Sequence, residues 1–214
     1  MPEKKFAKER IADAIFLLRF ESQYDLAATF LRVQEHYESR RFAGRVFTLE
    51  QFMDWYADEF GQFTYYEDWV GFNVPSTALA PFREGKFDPL LEKEKRLLQM
   101  FRHEQPPFYI IGVSSAASKG DLAHELAHAL YFTDADYRRA ARRAIRGHDT
   151  SAIEHELFRM GYARRVIPDE VHAYLVASDG SLFGEARSLA PLRRTLRKLF
   201  RQFAARFSIP RIRL

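Results

Sequence analysis

The chain has 214 residues, of which 47 % are hydrophobic and 15 % aromatic, and this composition excludes an intrinsically disordered protein. It has no cysteine, which excludes disulfides, thiol nucleophiles and cysteine-ligated zinc sites. The net charge is +4, and the basic excess lies mainly in residues 138–146 and 187–213. Residues 1–10 have no apolar segment like that of a signal peptide, and no later run is long enough to span a membrane. We therefore expect a soluble, cytoplasmic protein.

The N-terminal part, residues 1–61, is predicted to be helical. Apolar residues recur at helical spacing over Lys4–Phe20 and again over about Gln23–Tyr37, which predicts two amphipathic helices. Thr48 and Gln51 have capping-box spacing and predict the start of a third helix.

The central part, residues 62–180, contains the strand signals. Aromatic and strand-forming residues are dense in 63–75 and predict one or two strands, and Phe108–Val113 predicts another. Helical periodicity and capping residues predict four helices besides the one discussed below. They cover Asp88 or Pro89 to about His103, about Asp136–Arg146, a segment from Ser151 with capping-box spacing to Glu154, and Asp169–Ala177.

The last part, residues 181–214, is predicted to contain a basic amphipathic helix over Glu185–Phe207. Such a helix can pack on the domain, dock on a partner or lie on an anionic surface. Taken together, the elements predict an α+β fold. We expect one mostly helical domain over residues 1–214, with a small β-sheet packed on the helix that contains residues 121–131.

That helix contains His124, Glu125 and His128 in the arrangement HExxH. Residues four apart lie on one face of a helix, so the two imidazoles can hold one metal ion together, with Glu125 beside them. Catalytic zinc takes three protein ligands and lowers the pKa of a bound water to about 7, and a neighbouring carboxylate can then accept its proton. The motif predicts a zinc site with Glu125 as general base. Ser118 to Asp121 supply turn and capping residues before this helix.

The third ligand must come from elsewhere in the chain, and three positions are candidates. Glu170 is the preferred one, because it begins a helix whose small and apolar residues would pack against the motif helix. Asp134 is the second, and the pair Glu154 and Glu156 is the third.

Glu170 carries a resemblance to a known group. A strand at Phe108–Val113, then the HExxH helix, then a glutamate on a later helix resembles the gluzincin type of zinc metallopeptidase. The resemblance implies a zincin-like fold, zinc and peptide-bond hydrolysis. Many gluzincins carry an aspartate four residues after the glutamate, beside the first histidine, and this chain has Tyr174 at that position.

Other residues have predicted roles around the metal. Tyr174, His172 and Tyr131 are candidate donors to the oxyanion that forms during peptide hydrolysis. Asp134, Asp136 or Asp169 could orient a ligand histidine through its other ring nitrogen. If Tyr109–Val113 is an exposed edge of the sheet, an extended peptide could pair with it.

The sequence thus predicts a zinc-dependent peptidase that acts on a peptide or protein. The alternative is a protein in which zinc, held by a fourth ligand such as His155 or His172, only fixes the fold. Its aromatic and basic surfaces would then bind a partner, which could be a protein or, through Arg138–Arg146 and Arg193–Arg206, a nucleic acid.

Overall fold

The computed structural model describes residues 6–177 and 187–208, and a four-stranded sheet lies at its centre. The strands are β1 (Phe6–Ala12), β2 (Ile15–Phe20), β3 (Gly71–Pro75) and β4 (Tyr109–Ser114). Their order in space is β1, β2, β4, β3. The central strands β2 and β4 are parallel, and each outer strand is antiparallel to its neighbour.

The β1–β2 hairpin replaces the helix predicted over Lys4–Phe20, and that prediction was wrong. Within β2, four consecutive apolar residues, 15–18, are all buried. A run of this kind suits a central strand, which is covered on both faces, better than an amphipathic helix with one polar face. Residues 4 and 5, at the start of the predicted helix, lie outside the described residues.

The strand predicted at Phe108–Val113 is present as β4, but it is not at an edge. All six residues of β4 are buried, and the strand is bonded to β2 on one side and to β3 on the other. The proposed pairing of a peptide with Tyr109–Val113 is therefore wrong, because the backbone groups of β4 are already used. In the described part of the chain, the edge next to the motif helix belongs to β3.

Ten helices are described, and most of the predicted ones are present. They are α1 (Gln23–Glu38), α2 (Leu49–Phe60), α3 (Tyr65–Asp68), α4 (Ala80–Arg83), α5 (Glu92–Met100), α6 (Lys119–Thr133), α7 (Ala135–Ile145), α8 (Ser151–Arg159), α9 (Ile167–Ala177) and α10 (Ala190–Ala204). Single 3-10 turns also occur at Ser76–Leu79 and Arg187–Leu189. The mixed α+β character predicted from the sequence is confirmed.

The aromatic segment 63–75 contributes one strand, β3, within the one or two predicted, and its first half forms the short helix α3. Two local predictions need correction. The charged helix α5 begins at Glu92, later than predicted. Thr150 rather than Ser151 is the N-cap of α8, and the Thr150 hydroxyl donates to Glu154 Oε1 at 2.7 Å instead of capping the backbone.

Two clusters of buried apolar side chains cover the two faces of the sheet. Alternate residues of β2 and β4 point into each cluster, as the pleat of a strand requires. Helices α6, α7, α9 and α10 cover one face, and α1, α2 and α5 contribute to the other. Helix α1 lies directly on β4 at Gly112, where an added Cβ would lie 2.5 Å from the Phe30 ring. The motif helix α6 and helix α1 thus pack on opposite faces of the sheet.

The basic helix α10 packs on the domain. Its apolar residues Leu192, Leu196 and Phe200 are buried in the cluster shared with α6, α7 and α9. The predicted start of this helix at Glu185 lies outside the described residues, and so does the predicted boundary between the central and last parts of the chain at residues 180 and 181. Within the described ranges, every helix is too short or too polar to cross a lipid bilayer.

Candidate metal centre

Helix α6 presents the motif histidines toward α9. Its N-terminus is fixed by a capping box, in which Ser118 Oγ accepts from the Asp121 backbone N–H and the Asp121 carboxylate accepts from that of Ser118. The apolar residues between the polar motif positions are buried between the sheet and α9. This packing sets the rotation of α6 and leaves His124 and His128 on one side.

The structure brings His124, His128 and Glu170 together. The Nε2 atoms of the two histidines are 3.1 Å apart, and Glu170 Oε2 lies 3.7 Å from that of His124 and 3.5 Å from that of His128. Four ligands at about 2.0–2.1 Å from a tetrahedral zinc ion would be about 3.3 Å from one another. The three atoms therefore have the spacing of one face of such a tetrahedron.

The hydrogen bonds around this triangle also fit a metal ion. Asp169 Oδ2 lies 3.1 Å from His128 Nδ1, and the backbone of Ala173 accepts a hydrogen bond from the His124 ring. Each imidazole therefore has its N–H satisfied on one side and directs its other nitrogen into the triangle. Glu170 Oε2 is buried and has no hydrogen-bond partner among the described residues. A cation at the centre would satisfy all three atoms.

The acid–base properties of the three groups reflect their crowding. Burial, with His128 nearby, lowers the pKa of His124 well below its usual value. Burial alone would also lower the pKa of His128, but the Glu170 and Asp169 carboxylates raise it well above its usual value. Burial raises the pKa of Glu170, although His128 acts in the opposite direction. A divalent cation would replace protons that these groups otherwise share.

Glu125 lies beside the triangle and is held by β3. Asn73 Nδ2 donates to Glu125 Oε2 at 2.6 Å, and Asn73 Oδ1 accepts from the Tyr109 hydroxyl. At Gly71, an added Cβ would lie 2.5 Å from Glu125 Oε1, so the carboxylate occupies the space that a side chain would fill. Burial raises the pKa of Glu125 to about 7, and both His128 and the Asn73 hydrogen bond partly oppose this rise.

The two candidate oxyanion donors on α9 have different surroundings. Tyr174 borders the cavity above the triangle, and its ring centroid lies 4.6 Å from that of His124. His172 has no exposed surface and does not border the cavity, since its Nε2 lies 2.6 Å from the Tyr137 hydroxyl and its Nδ1 faces Asp169. The predicted role of His172 as a donor to substrate does not fit this position.

Tyr131 is also turned away from the cavity. Its ring stacks on His172, and its hydroxyl accepts a hydrogen bond from Arg142. Like His172, Tyr131 does not border the cavity, so it does not touch the space where a substrate would lie.

The alternative third ligands lie elsewhere. Asp134 caps α7 and pairs with Arg206 at 2.7 Å. Glu154 is exposed on α8, and Glu156 pairs with Arg159 at 3.1 Å. Of the aspartates considered as orienting groups, Asp169 is the one that faces a motif histidine.

A cavity of about 880 Å³ opens above His124, Glu125 and Glu170. Its walls come from the C-terminal half of α1, from α2, from the start of β3 and from α9. Aromatic side chains line the outer part, including Trp55, Tyr56 and Phe60. The cavity thus connects the candidate metal centre to the surface.

Several residues of the site had no signal in the sequence that we used. Asn73 and Gly71 lie 50 or more residues before the motif, and only the sheet brings them to Glu125. Glu35 and Glu38 border the cavity from α1, a helix to which the sequence pattern assigns no chemistry. The different positions of His172 and Tyr174 could have been predicted. On a helix, His172 is two residues after Glu170 and therefore points to nearly the opposite side. Tyr174 is four residues after Glu170 and lies on the same side.

A comparison of the chain with protein-family models, with curated proteins and with solved structures finds no match.

Proposed function

We propose that this chain is a zinc-dependent peptidase of the gluzincin type. One observation carries the proposal: the atoms His124 Nε2, His128 Nε2 and Glu170 Oε2 form a triangle of ligand spacing beside a buried carboxylate at the base of an open cavity. The order of β4, the HExxH helix α6 and the glutamate helix α9 supports a zincin-like arrangement.

This chain would differ from many gluzincins in the groups that support its histidines. The carboxylate that orients a histidine is Asp169, which precedes the ligand glutamate and contacts the second histidine, His128. Tyr174 occupies the position where an aspartate is usual, and it packs its ring against the first histidine, His124.

His124, His128 and Glu170 would hold the ion. Zinc, when bound, supplies a water of lowered pKa and polarises the carbonyl of the scissile bond. Glu125 would act first as base and then as acid. Its carboxylate, with a pKa raised to about 7 by burial, can accept a proton near neutral pH and return it to the leaving amine. Asn73 keeps this carboxylate aimed at the base of the cavity.

An extended substrate can pair with the outer edge of β3. In the described part of the chain, β3 is bonded to β4 on one side only, and Val70 to Asn73 border the cavity. Main-chain hydrogen bonds to such an edge hold a peptide without regard to its side chains. A peptide at this edge would run past Glu125, which lies against Gly71.

Tyr174 would donate a hydrogen bond to the oxyanion. Burial, with Glu170 next in importance, raises the pKa of its hydroxyl, so the group stays protonated at neutral pH. Its oxygen lies 3.4 Å from the Tyr162 hydroxyl, which also borders the cavity. A preorganised donor of this kind typically contributes about 10²–10³ in kcat.

The alternative, zinc that only fixes the fold, needs a fourth protein ligand. In the part of the chain that the structure describes, the group of potential ligands contains three residues, and neither His155 nor His172 belongs to it. This favours an open catalytic position. The basic residues of α7 and α10 are a separate surface, so nucleic-acid binding would be an additional property of the peptidase.

The test combines metal content with hydrolysis. Elemental analysis of protein purified without added metal should give near-stoichiometric zinc for the wild type and for Glu125→Gln, and little for His124→Ala and Glu170→Ala. A peptide library should be cleaved by the wild type and not by Glu125→Gln. Retained hydrolysis in Glu125→Gln would remove the mechanism, and zinc without hydrolysis of any peptide would favour the binding protein.

A further inference from the structure

The C-terminal end of α1 places three acceptor side chains in the wall of the cavity. Gln34, Glu35 and Glu38 all border it, together with the metal-ligand candidates His124 and Glu170. The end of a helix also carries partial negative charge from its free carbonyl groups. We call the part of the cavity wall formed by Gln34, Glu35 and Glu38 the acidic corner.

Neither carboxylate of the acidic corner has a cationic partner among the described residues. Glu35 is held by neutral donors, the Tyr65 hydroxyl at 2.8 Å and the Ser39 hydroxyl. Glu38 is held by the side chain of Gln34. Both residues are half-buried, and carboxylates that are withdrawn from water are normally paired with a cation or a metal ion, so two without such a partner are unusual.

Gln34 gives an independent sign of a missing donor. Its side chain is 5 % exposed, and its Oε1 has no hydrogen-bond partner among the described residues. Since its amide group faces Glu38, the orphaned oxygen belongs to the same corner. An unsatisfied buried acceptor costs about 1–3 kcal/mol, and this one shows that the corner holds more acceptors than donors.

The electrostatic consequences agree with this geometry. Burial raises the pKa of Glu35 to about 7, and burial together with Glu170 raises that of Glu38 well above its usual value. Glu38 is thus close enough to Glu170 and His128 to interact with their charges, which places the acidic corner next to the candidate metal centre.

The aromatic part of the cavity wall suits the apolar part of a cationic group. Trp55, Tyr56 and Phe60 border the same cavity, and Trp69 lies at its rim with 37 % exposure. Aromatic faces attract ammonium and guanidinium groups and cover the methylene groups that carry them.

We propose that the acidic corner binds an ammonium or guanidinium group of the substrate, so that this peptidase selects peptides with a positive charge next to the scissile bond. The inference rests on the proposed function and adds the substrate class. Two sources supply such a group, namely the free α-amine of a peptide and the side chain of a lysine or arginine.

The experiment uses zinc-loaded protein and matched fluorescent peptides. One pair differs only in lysine against norleucine, and the other differs only in a free against an acetylated N-terminus. Binding is measured by anisotropy on the Glu125→Gln background, and kcat/KM is measured on the wild-type background. Both measurements are repeated with the variants Glu35→Gln and Glu38→Gln. The control variant is Glu50→Gln, at an exposed position.

The cationic member of at least one pair should bind and react about 10- to 100-fold better, as expected for a charge-assisted hydrogen bond, and Glu38→Gln should abolish this preference. The pair that shows the preference identifies the source of the charge. Equal binding of both members of both pairs would overturn the inference, as would a preference that persists in Glu35→Gln and Glu38→Gln. Zinc content, measured on every variant, confirms that the fold is retained.

The two proposals fail separately. If cleavage occurs without charge preference, only the substrate class is wrong. If no peptide is cleaved, the peptidase proposal is wrong, and the anisotropy measurement still decides whether the acidic corner binds cations.

Discussion

Asp169 Oδ2 lies 3.1 Å from His128 Nδ1, and the residue that follows Asp169 is the ligand candidate Glu170. One turn of α9 therefore supplies both a ligand and the carboxylate that orients another ligand. The other oxygen of Asp169 lies 3.5 Å from His172 Nδ1, so the same carboxylate links the site to the buried contact of His172 with Tyr137. Despite burial, His128 lowers the pKa of Asp169, which keeps the group charged.

Asp169→Asn should weaken zinc binding about 10- to 100-fold, because second-shell carboxylates typically contribute this much. The neutral asparagine amide would lack the negative charge with which the Asp169 carboxylate orients the His128 ring. Competition with a chromophoric chelator measures the affinity. Asp136→Asn, at a side chain that is 76 % exposed, is the control and should leave it unchanged. Equal affinities for the two variants would show that Asp169 does not orient a ligand.

Gly71→Ala should lower kcat/KM about 100-fold with zinc retained. The new methyl group would lie 2.5 Å from Glu125 Oε1 and must displace the carboxylate, and misplacement by about 1 Å is enough for a loss of this size. Gly120→Ala, where the nearest atom would be Ser118 Oγ at 3.5 Å, is the matched control. Hydrolysis at the wild-type rate in Gly71→Ala would place the reacting carboxylate elsewhere.

Tyr174→Phe should reduce kcat about 10²-fold or more with little change in zinc content, because it removes one oxyanion donor and keeps the ring against His124. Tyr162→Phe removes the neighbouring hydroxyl and should have a smaller effect. Steady-state kinetics on one cleaved peptide measures both. If Tyr174→Phe keeps full activity, the tyrosine only packs.

Glu35→Gln should stabilise the protein in a pH-dependent way. Burial raises the pKa of Glu35 from 4.5 to about 7, so the folded state binds this proton more tightly than the unfolded state. Stability of the wild type therefore falls as the pH rises through this interval, and glutamine avoids the loss. Urea unfolding should give equal stability near pH 4, and at pH 8 a gain of up to about 3 kcal/mol for the variant. A pH-independent difference would contradict the shifted pKa.

Arg32→Met should cost about 3–5 kcal/mol of unfolding free energy, because it leaves a buried carboxylate without its partner. Arg32 joins α1 to α5 through both oxygens of Glu94, with Nε to Oε1 at 2.7 Å, and both side chains are at most 5 % exposed. The double variant Arg32→Met, Glu94→Leu should recover most of the loss. Lys86→Met, which breaks an exposed pair with Glu84, should change stability by less than about 1 kcal/mol.

The features that the sequence predicted are local ones. The capping box at Thr48 and the turn and capping residues at 118–121 predict the starts of α2 and α6, and the spacing of His124 and His128 places both imidazoles on one side of a helix. Glu170 was chosen because its helix had a small, apolar face, and α9 does pack on α6 in the shared core. These inferences use periodicity within one element, which the sequence determines directly.

The errors concern relations between distant segments. The order of strands depends on which edges pair. The central position of β4 follows from its pairing with residues 15–20, about 90 residues earlier in the sequence, and β3 is left at the edge. The mistaken helix over Lys4–Phe20 has the same origin. Its apolar run is explained by burial between two layers of helices that only the assembled fold provides. Asn73 and Glu38 are likewise brought to the site by the assembled fold and not by a pattern within one element.

The ligand candidates come from two helices, and Glu170 follows His128 by 42 residues. An ion held by both helices would therefore act as a reversible crosslink that closes this segment of chain, which contains α7 and α8. Closing a loop of this length in the unfolded chain carries an entropic cost, so the ion would bind the assembled protein far better than the separated helices. The melting temperature should consequently rise with free zinc, and a chelator should loosen α9 from α6 before the sheet unfolds. Metal supply would thus control the lifetime of the folded protein as well as its chemistry.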